Sequence, residues 1–129
     1  MQNEKFSIRK RLKSFVYAGA GIRQFLASEH NARIHLVATI LVAIAAWWLK
    51  VTEGEAIALV AAAGLVWVTE ILNTCMEKAM DLISVEKDPR IRTIKDMAAG
   101  AVLLAALTAS IIGLIVFIPK ILWISKQIL

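Results

Sequence analysis

Long apolar runs alternate with short basic segments along the whole chain. The run 97–118 holds 22 residues without a charge, enough for a helix to cross about 30 Å of hydrocarbon. A shorter run, 34–49, ends in tryptophans beside Lys50, which is typical of a membrane interface. A third run, 56–75, carries Glu70 in its last third. The pattern predicts three transmembrane helices, over about 34–49, 56–75 and 97–118.

The segment before the first span has a different pattern. Over about 5–28 the apolar residues recur at helical spacing, and basic residues occupy the other side. Such a segment forms a helix that lies in the membrane interface, and Glu29 is expected to end it. Its apolar positions are Ile8, Leu12, Phe15, Val16, Gly19 and Ile22. We therefore predict an all-α integral membrane fold, a single domain over 1–129 in which an N-terminal amphipathic surface helix precedes three transmembrane helices.

Two prolines and a row of small residues bear on the third span. Asp88 is a predicted N-cap with Pro89 at the first helical position, and Pro119 is predicted to end the helix. Small residues recur at every fourth position, at Ala101, Ala105, Ala109 and Gly113. Such a ridge lets helices approach closely, and the sequence is compatible with packing inside the chain or with an oligomer interface.

Composition narrows the class of protein. At 59% hydrophobic residues, the chain is too apolar for an ordinary soluble domain. Its net charge of +5 is concentrated before the first span and between the second and third. The positive-inside rule then predicts a cytoplasmic N-terminus and a cytoplasmic second loop. Anionic lipid headgroups and a phosphate ligand explain the basic residues better than nucleic acid does, so no nucleic-acid partner is expected.

Ionisable side chains on one face of the second span are the main candidates for chemistry. At 100° per residue, four polar side chains fall within an arc of about 80°. They are Glu70, Asn73, Glu77 and Asp81. Charged groups near hydrocarbon are costly, so a one-sided set indicates a functional site. Since the chain has no G-x-x-x-x-G-K-[ST] loop, phosphate binding would need a metal ion with scattered Lys and Arg side chains.

Each carboxylate has a functional and a structural interpretation. Glu77 and Glu29, at matching depths near the cytoplasmic boundary, are candidate ligands for Mg²⁺. The alternative is that Glu29 pairs with Arg33 and Glu77 with Lys78 or a neighbouring helix. Glu70 lies deepest, roughly 7 Å inside the boundary, and is a candidate proton acceptor. Its alternative is a structural hydrogen bond to Asn73 or an adjacent helix, whereas Asp81 is expected to be solvated or to cap the helix.

Four segments together resemble a known family. They are Phe15-Val-Tyr-Ala-Gly-Ala-Gly-Ile22, Glu29-His-Asn-Ala-Arg-Ile-His35, the stripe from Glu70 to Asp81, and Ile94-Lys-Asp-Met-Ala-Ala-Gly-Ala-Val102. Over nearly its whole length the chain resembles the small prokaryotic diacylglycerol kinases and undecaprenol kinases. The resemblance implies a homotrimer with active sites at subunit boundaries, in the bacterial cytoplasmic (inner) membrane. It also implies transfer of the γ-phosphate of ATP to a lipid hydroxyl.

The resemblance also implies roles for individual residues. Glu70 matches the catalytic base and a lipid-binding position, and Asn73 supports the site. Glu29 and Glu77 match the Mg²⁺ ligands on the nucleotide side. Further nucleotide positions are Lys10, Tyr17, Glu86, Lys95 and Asp96, and further lipid positions are Ala99 and Trp48.

The substrate is expected to follow from the branch of the family. The blocks 96–102 and 112–120, and Asn31 after Glu29, resemble the undecaprenol kinase branch. The expected product is therefore undecaprenyl phosphate, with diacylglycerol phosphorylation to phosphatidic acid as the alternative. Two other classes remain open at this stage. Intramembrane glutamates also serve proton-coupled transporters, and the small-residue ridge suits a non-catalytic assembly subunit.

Overall fold

The computed structural model describes residues 7–84 and 88–128, and every regular element in these residues is an α-helix. The four helices are α1 (Ile8–Ser28), α2 (His30–Trp48), α3 (Glu53–Ile83) and α4 (Pro89–Ile128). By length and composition, α2, α3 and α4 can each cross a membrane. The prediction of an all-helical chain with three apolar spans is therefore confirmed.

Short breaks separate the first three helices. Glu29 is the one residue between α1 and α2, and its extended backbone (φ −100°, ψ 126°) changes the direction of the chain. Lys50, between α2 and α3, has a φ of 48° in the left-handed region, which permits a tight reversal. Thr52 then caps α3 in a capping box with Glu55, since each side chain accepts a hydrogen bond from the other residue's backbone N–H.

The start of α4 follows the prediction, but its end does not. Asp88 Oδ1 accepts a hydrogen bond of 2.8 Å from the backbone N–H of Arg90, and Pro89 is the first helical residue. The prediction that Pro119 ends the helix is wrong, because α4 continues to Ile128. Proline removes one helical N–H donor, a defect that transmembrane helices tolerate when neighbouring groups compensate.

Helices α3 and α4 form an antiparallel hairpin that contains most of the buried side chains. Ion pairs close it near both ends, between Glu55 and Lys120 at 3.0 Å and between Asp81 and Lys95. The two ion pairs are separated by nearly the same number of residues on α3 and on α4. They therefore fix how the two helices are aligned along their lengths. On α3 the buried face recurs every three or four residues, at Leu59, Ala62, Val66, Glu70 and Thr74.

The small-residue ridge of α4 is used in part inside the chain. Ala105 is buried at 3% exposure, whereas Ala101, one turn away, is exposed. Ala105 therefore contributes to packing within the hairpin, and Ala101 remains available to lipid or to another subunit.

Helix α2 packs on α3 less extensively than α4 does. The indole N–H of Trp67 donates a hydrogen bond of 2.9 Å to the Thr39 hydroxyl, and the same ring meets Phe25 of α1 edge-on at 6.2 Å. Nearer the start of α2, Lys78 of α3 forms an ion pair with Glu29. These pairs make α2 antiparallel to α3, so Glu29 lies at the same end of the bundle as Glu77.

Candidate functional site

Glu70 is the buried carboxylate of the candidate site. Its residue is 3% exposed, and it lies on the face of α3 that packs against α4. The register of the hairpin brings it level with Ala105, whose methyl group occupies little space. Among the described residues, no group donates a hydrogen bond to the Glu70 side chain, so the predicted structural bond to Asn73 is absent. Removing a carboxylate from water is costly unless it is paired, so a carboxylate on a buried residue is expected to have a functional partner.

Asn73 directs its amide toward Glu77 instead. Its Nδ2 donates a hydrogen bond of 3.3 Å to Glu77 Oε1. Its Oδ1 is buried and has no hydrogen-bond partner within the described part of the chain. The two residues therefore present oxygen atoms about one turn (Asn73) and two turns (Glu77) beyond Glu70. The supporting role expected of Asn73 stays a prediction.

Glu29 reaches α3 through Lys78. The Lys78 ammonium lies 3.1 Å from Glu29 Oε1, and the Ser28 hydroxyl donates to the same oxygen at 2.9 Å. The Lys78 ammonium holds the pKa of Glu29 below its ordinary value of 4.5, and the Ser28 hydroxyl adds to this effect. The carboxylate is thus kept ionised at neutral pH.

The alternative pairing predicted from sequence spacing is wrong. Arg33 does not pair with Glu29, because its guanidinium donates to the carbonyl oxygens of Leu26 at 3.3 Å and Ala27 at 2.6 Å. The change of direction at Glu29 turns Arg33 back onto the end of α1, where the last carbonyls of a helix lack partners. Lys78 therefore pairs with Glu29 rather than with its neighbour Glu77.

The oxygen atoms at this end of the bundle are of the types that Mg²⁺ takes when it is shared with a phosphate ligand. Among the described residues, no three His, Cys, Asp or Glu side chains form a group that could hold a metal ion alone. Mg²⁺ does not require such a group, since it commonly takes one or two carboxylates and completes its shell with water and phosphate. Glu77, Glu29 and the unpartnered Asn73 Oδ1 are hard donors of the required type.

Two of the expected nucleotide residues lie on the first turns of α4. Lys95 forms an ion pair with Asp81. The sequence predicts that Asp81 is solvated or caps the helix, and that prediction did not include this partner on another helix. Asp96 is exposed and lies 3.7 Å from Arg92 Nε on the same helix. Ala99 follows one turn after Lys95 and is exposed. The Asp81–Lys95 pair thus anchors this basic turn beside the end of α3 that carries Glu77.

Three further expected site residues are not brought to the stripe within this single chain. Lys10 and Tyr17 lie in the first half of α1, where Tyr17 is 69% exposed. Trp48 ends α2 about 14 Å beyond Thr39, on the side away from Glu70. Glu86 lies outside the described residues. The roles of these four residues stay predictions.

An apolar cavity of about 580 Å³ lies between α2, α3 and α4. Val66, one turn before Glu70, lines it, and Gly113 contributes no side chain to its wall. A Cβ atom added at Gly113 would meet no atom within 4 Å. The polar residues of the lining are His35, Thr39 and Ser110. The cavity therefore suits a hydrocarbon chain that approaches Glu70 from the middle of the bundle.

The fold and the site define a helical integral membrane protein with a buried carboxylate beside a polar cluster. The family model for prokaryotic diacylglycerol kinase matches residues 16–117. The chain belongs to this family, and it is accordingly a lipid kinase. That membership favours a kinase over the transporter and the assembly subunit that the sequence alone left open.

Individual relatives support the same assignment. The chain is 34% identical to the undecaprenol kinase of Bacillus subtilis over 119 residues, 92% of this chain and 97% of that protein. It is 41% identical to the diacylglycerol kinase of Synechocystis over 86% of this chain and 64% of that protein. It is 32% identical to the diacylglycerol kinase of Escherichia coli over 86% of this chain and 91% of that protein. The match along nearly the full length of the undecaprenol kinase supports the expected branch.

Proposed function

We propose that this protein transfers the γ-phosphate of ATP to the hydroxyl of a membrane lipid alcohol, with Mg²⁺, and that undecaprenol is its substrate. The observation that carries the proposal is the position of Glu70, whose residue is buried and whose carboxylate receives no hydrogen bond from a described group. It lies between an apolar cavity and the oxygen atoms of Asn73 and Glu77. This arrangement allows an apolar substrate and a phosphate donor to approach one proton acceptor from opposite directions.

Glu70 acts as the general base. A lipid hydroxyl is a weak nucleophile, and a carboxylate within hydrogen-bond distance can accept its proton as the oxygen attacks phosphorus. Because no described group donates to Glu70, the substrate hydroxyl would fill an empty acceptor position. Ala105, level with Glu70, has no side-chain donor that would compete with the substrate hydroxyl. Burial also excludes water, which would otherwise compete with the lipid as nucleophile.

The nucleotide binds at the polar end of the bundle. Glu29 and Glu77 would hold Mg²⁺, which would supply positive charge to offset the negative charge that develops during transfer. Asn73 orients Glu77 through its amide. Lys95 supplies positive charge from the first turns of α4, next to Asp96. Lys10, Tyr17 and Glu86 complete the nucleotide side in this proposal.

The hydrocarbon part of the substrate occupies the cavity between α2, α3 and α4. Its lining is almost entirely apolar and reaches Val66, one turn from Glu70. Ala99 contacts the lipid near its hydroxyl, whereas Trp48 would contact only a distant part of a long chain. A polyprenyl alcohol and a diacylglycerol both have apolar chains, so the cavity favours a lipid without choosing between them. The choice of undecaprenol rests on the relative from Bacillus subtilis and on the branch-specific blocks.

Assembly and orientation complete the proposal. The single domain over 1–129 forms a homotrimer in the bacterial cytoplasmic membrane, with the N-terminus and the second loop in the cytoplasm. α1 lies in the interface as an amphipathic helix. Support comes from the exposed apolar side chains of α1, including Phe15 at 77% exposure, which need lipid or another subunit to cover them. A neighbouring subunit could also bring Lys10 and Tyr17 to a site that one chain leaves incomplete.

Phosphorylation of two lipids by the purified protein in detergent tests the function. Undecaprenol and a diacylglycerol are supplied in parallel at equal mole fraction, with ATP and Mg²⁺, and each phosphorylated lipid is measured. We expect phosphate transfer to undecaprenol to dominate and to stop when Mg²⁺ is chelated. Preferential phosphorylation of diacylglycerol would contradict undecaprenol as the substrate but would support the proposed lipid kinase reaction. Absence of transfer to either lipid would contradict the proposed reaction.

A further inference from the structure

Lys78 is a charged residue that the proposed reaction does not use. Its ammonium lies 3.1 Å from Glu29 Oε1 and 3.4 Å from the Ser28 hydroxyl. The contact connects α3 to the break between α1 and α2, residues that are far apart in the sequence. Lys78 also directly follows Glu77, so it occupies the same end of α3 as the candidate nucleotide site.

The partner of Lys78 makes this contact relevant to metal binding. Glu29 is a proposed ligand of Mg²⁺, and its Oε1 already accepts contacts from the ammonium and from Ser28. A divalent cation at that oxygen would have to displace the ammonium, since two cations at one carboxylate oxygen repel each other. The pair is suited to exchange, because the Lys78 side chain is 52% exposed and that of Glu29 is 28% exposed. Lysine's flexible stem lets the ammonium leave without movement of the backbone.

We propose that Lys78 takes the place of the divalent cation at Glu29 in the metal-free enzyme and leaves when the metal binds. In this role it is a positioning residue: it keeps the Glu29 side chain directed toward α3 and compensates its charge. The inference rests on the proposed function, in which Glu29 is a metal ligand. It adds that metal binding is an exchange of one cation for another.

Mn²⁺ binding to the purified full-length protein in detergent, without nucleotide, measures this exchange. Free Mn²⁺ is followed by electron paramagnetic resonance for the wild type, Lys78→Met, Lys78→Arg and Lys126→Met. Removing the competing ammonium should tighten Mn²⁺ binding about two- to fivefold, as the usual strength of an exposed ion pair implies. Lys78→Arg preserves the ion pair and should bind Mn²⁺ as the wild type does. Lys126, in the last turn of α4, lies at the other end of the bundle and is the charge-matched control.

A double-mutant cycle with Glu29→Gln separates competition from a general loss of positive charge. If Lys78 acts through Glu29, Lys78→Met should no longer tighten Mn²⁺ binding in the Glu29→Gln background. Equal tightening in both backgrounds would overturn the inference, as would weaker Mn²⁺ binding by Lys78→Met alone. If Glu29→Gln itself leaves Mn²⁺ affinity unchanged, the metal role of Glu29 in the proposed function fails, and the inference fails with it.

Thermal unfolding supplies a second readout that a purely structural lysine would not give. Lys78→Met should unfold at a lower temperature than the wild type in chelator, where the ammonium is the only cation among the described residues that pairs with Glu29. The difference should disappear in saturating Mn²⁺, because Mn²⁺ then pairs with Glu29 in both proteins. A difference of equal size with and without Mn²⁺ would assign Lys78 a structural role alone and would overturn the exchange.

Discussion

Glu70 of α3 and Ala105 of α4 are each 3% exposed and lie level with each other inside the hairpin. The methyl group of Ala105 packs at this level without offering the carboxylate a hydrogen-bond donor. A larger side chain at either position would change both the packing and the site. This relationship between packing and chemistry leads to the first two predictions.

Ala105→Leu should destabilise the protein by about 1–3 kcal/mol, the usual cost of overpacking a well-packed interior. The added atoms would have to enter the contact between α3 and α4. Thermal unfolding and particle size in detergent measure the effect. Ala101→Leu is the control, since Ala101 is exposed in the single chain. Unchanged unfolding of Ala105→Leu would mean that this face of α4 has free space. A change of particle size in Ala101→Leu alone would assign Ala101 to a subunit interface.

Glu70→Gln should lower turnover by at least about two orders of magnitude, the low end of what general-base assistance contributes. The amide preserves the shape of the side chain but is a poor proton acceptor. ATP and Mg²⁺ affinity should change far less, because the proposed nucleotide groups lie closer to the end of the bundle. The measurement is turnover at saturating lipid, together with nucleotide affinity on the same preparation. Retention of most of the turnover would remove Glu70 from catalysis, and a selective loss of ATP binding would assign it to the nucleotide site.

Glu77→Gln should largely abolish phosphoryl transfer while the protein still inserts and assembles. The substitution removes an anionic oxygen from the proposed Mg²⁺ site and keeps the side chain near the Asn73 amide. Transfer is measured over a range of Mg²⁺ concentrations, with particle size as the control for assembly. Near-normal transfer at ordinary Mg²⁺ would contradict the metal assignment.

The sequence predicts the elements of this fold well because each depends on local patterns. The apolar runs predict the spans, Glu29 predicts the break before α2, and Asp88 with Pro89 predicts the start of α4. Pro119 shows the limit of local rules. A proline ends most helices, but one missing hydrogen bond within a 40-residue apolar helix does not outweigh the helical conformation on both sides.

Contacts between helices could be predicted only in part. Helical spacing correctly places Glu70, Asn73 and Glu77 on one face, but it could not identify their partners. The spacing of Glu29 and Arg33 suggests an ion pair within one helix, whereas the change of direction between α1 and α2 separates them. Lys78 and Glu29 meet because α2 and α3 are antiparallel with a particular register. That register depends on tertiary contacts such as Trp67 with Thr39, which a single sequence does not specify.

Acidification should weaken the contact between Glu29 and Lys78. The pKa of Glu29 is lowered in the folded protein, so its pair with Lys78 contributes stability above the ordinary value of 4.5. The contribution is lost as pH falls below that value and through the lowered folded pKa. It should be small, about 0.2–1 kcal/mol, because both groups are partly exposed. Thermal unfolding of the wild type and Glu29→Gln is compared in metal-free buffer at pH 7 and below pH 4. Because the two proteins share all other titrating groups, the change in their difference measures the contribution of the Glu29–Lys78 pair. A difference that stays constant with pH would contradict the ion pair.

Gly113→Leu should impair the use of long lipid substrates while ATP use is preserved. A side chain at this position would project into the cavity between α2, α3 and α4, where a Cβ meets no atom within 4 Å. The fold can therefore accept the leucine, whereas the hydrocarbon chain of the substrate would lose the same space. We expect a rise in the apparent KM for lipid of at least about tenfold, since losing a few buried methylene groups costs more than 1.4 kcal/mol. Gly113→Ala, which adds a single methyl group, should show a smaller rise.

The length of the lipid provides an internal control for this last prediction. Turnover of Gly113→Leu is compared on a long polyprenol and on a short isoprenoid alcohol, which needs less of the cavity. A loss confined to the long substrate, with an unchanged KM for ATP, would assign the cavity to the lipid chain. An equal loss on both substrates would mean that the leucine disturbs Glu70 or the hairpin. Full activity on both would show that the hydrocarbon chain binds elsewhere, and the proposed path from the cavity to Glu70 would then be wrong.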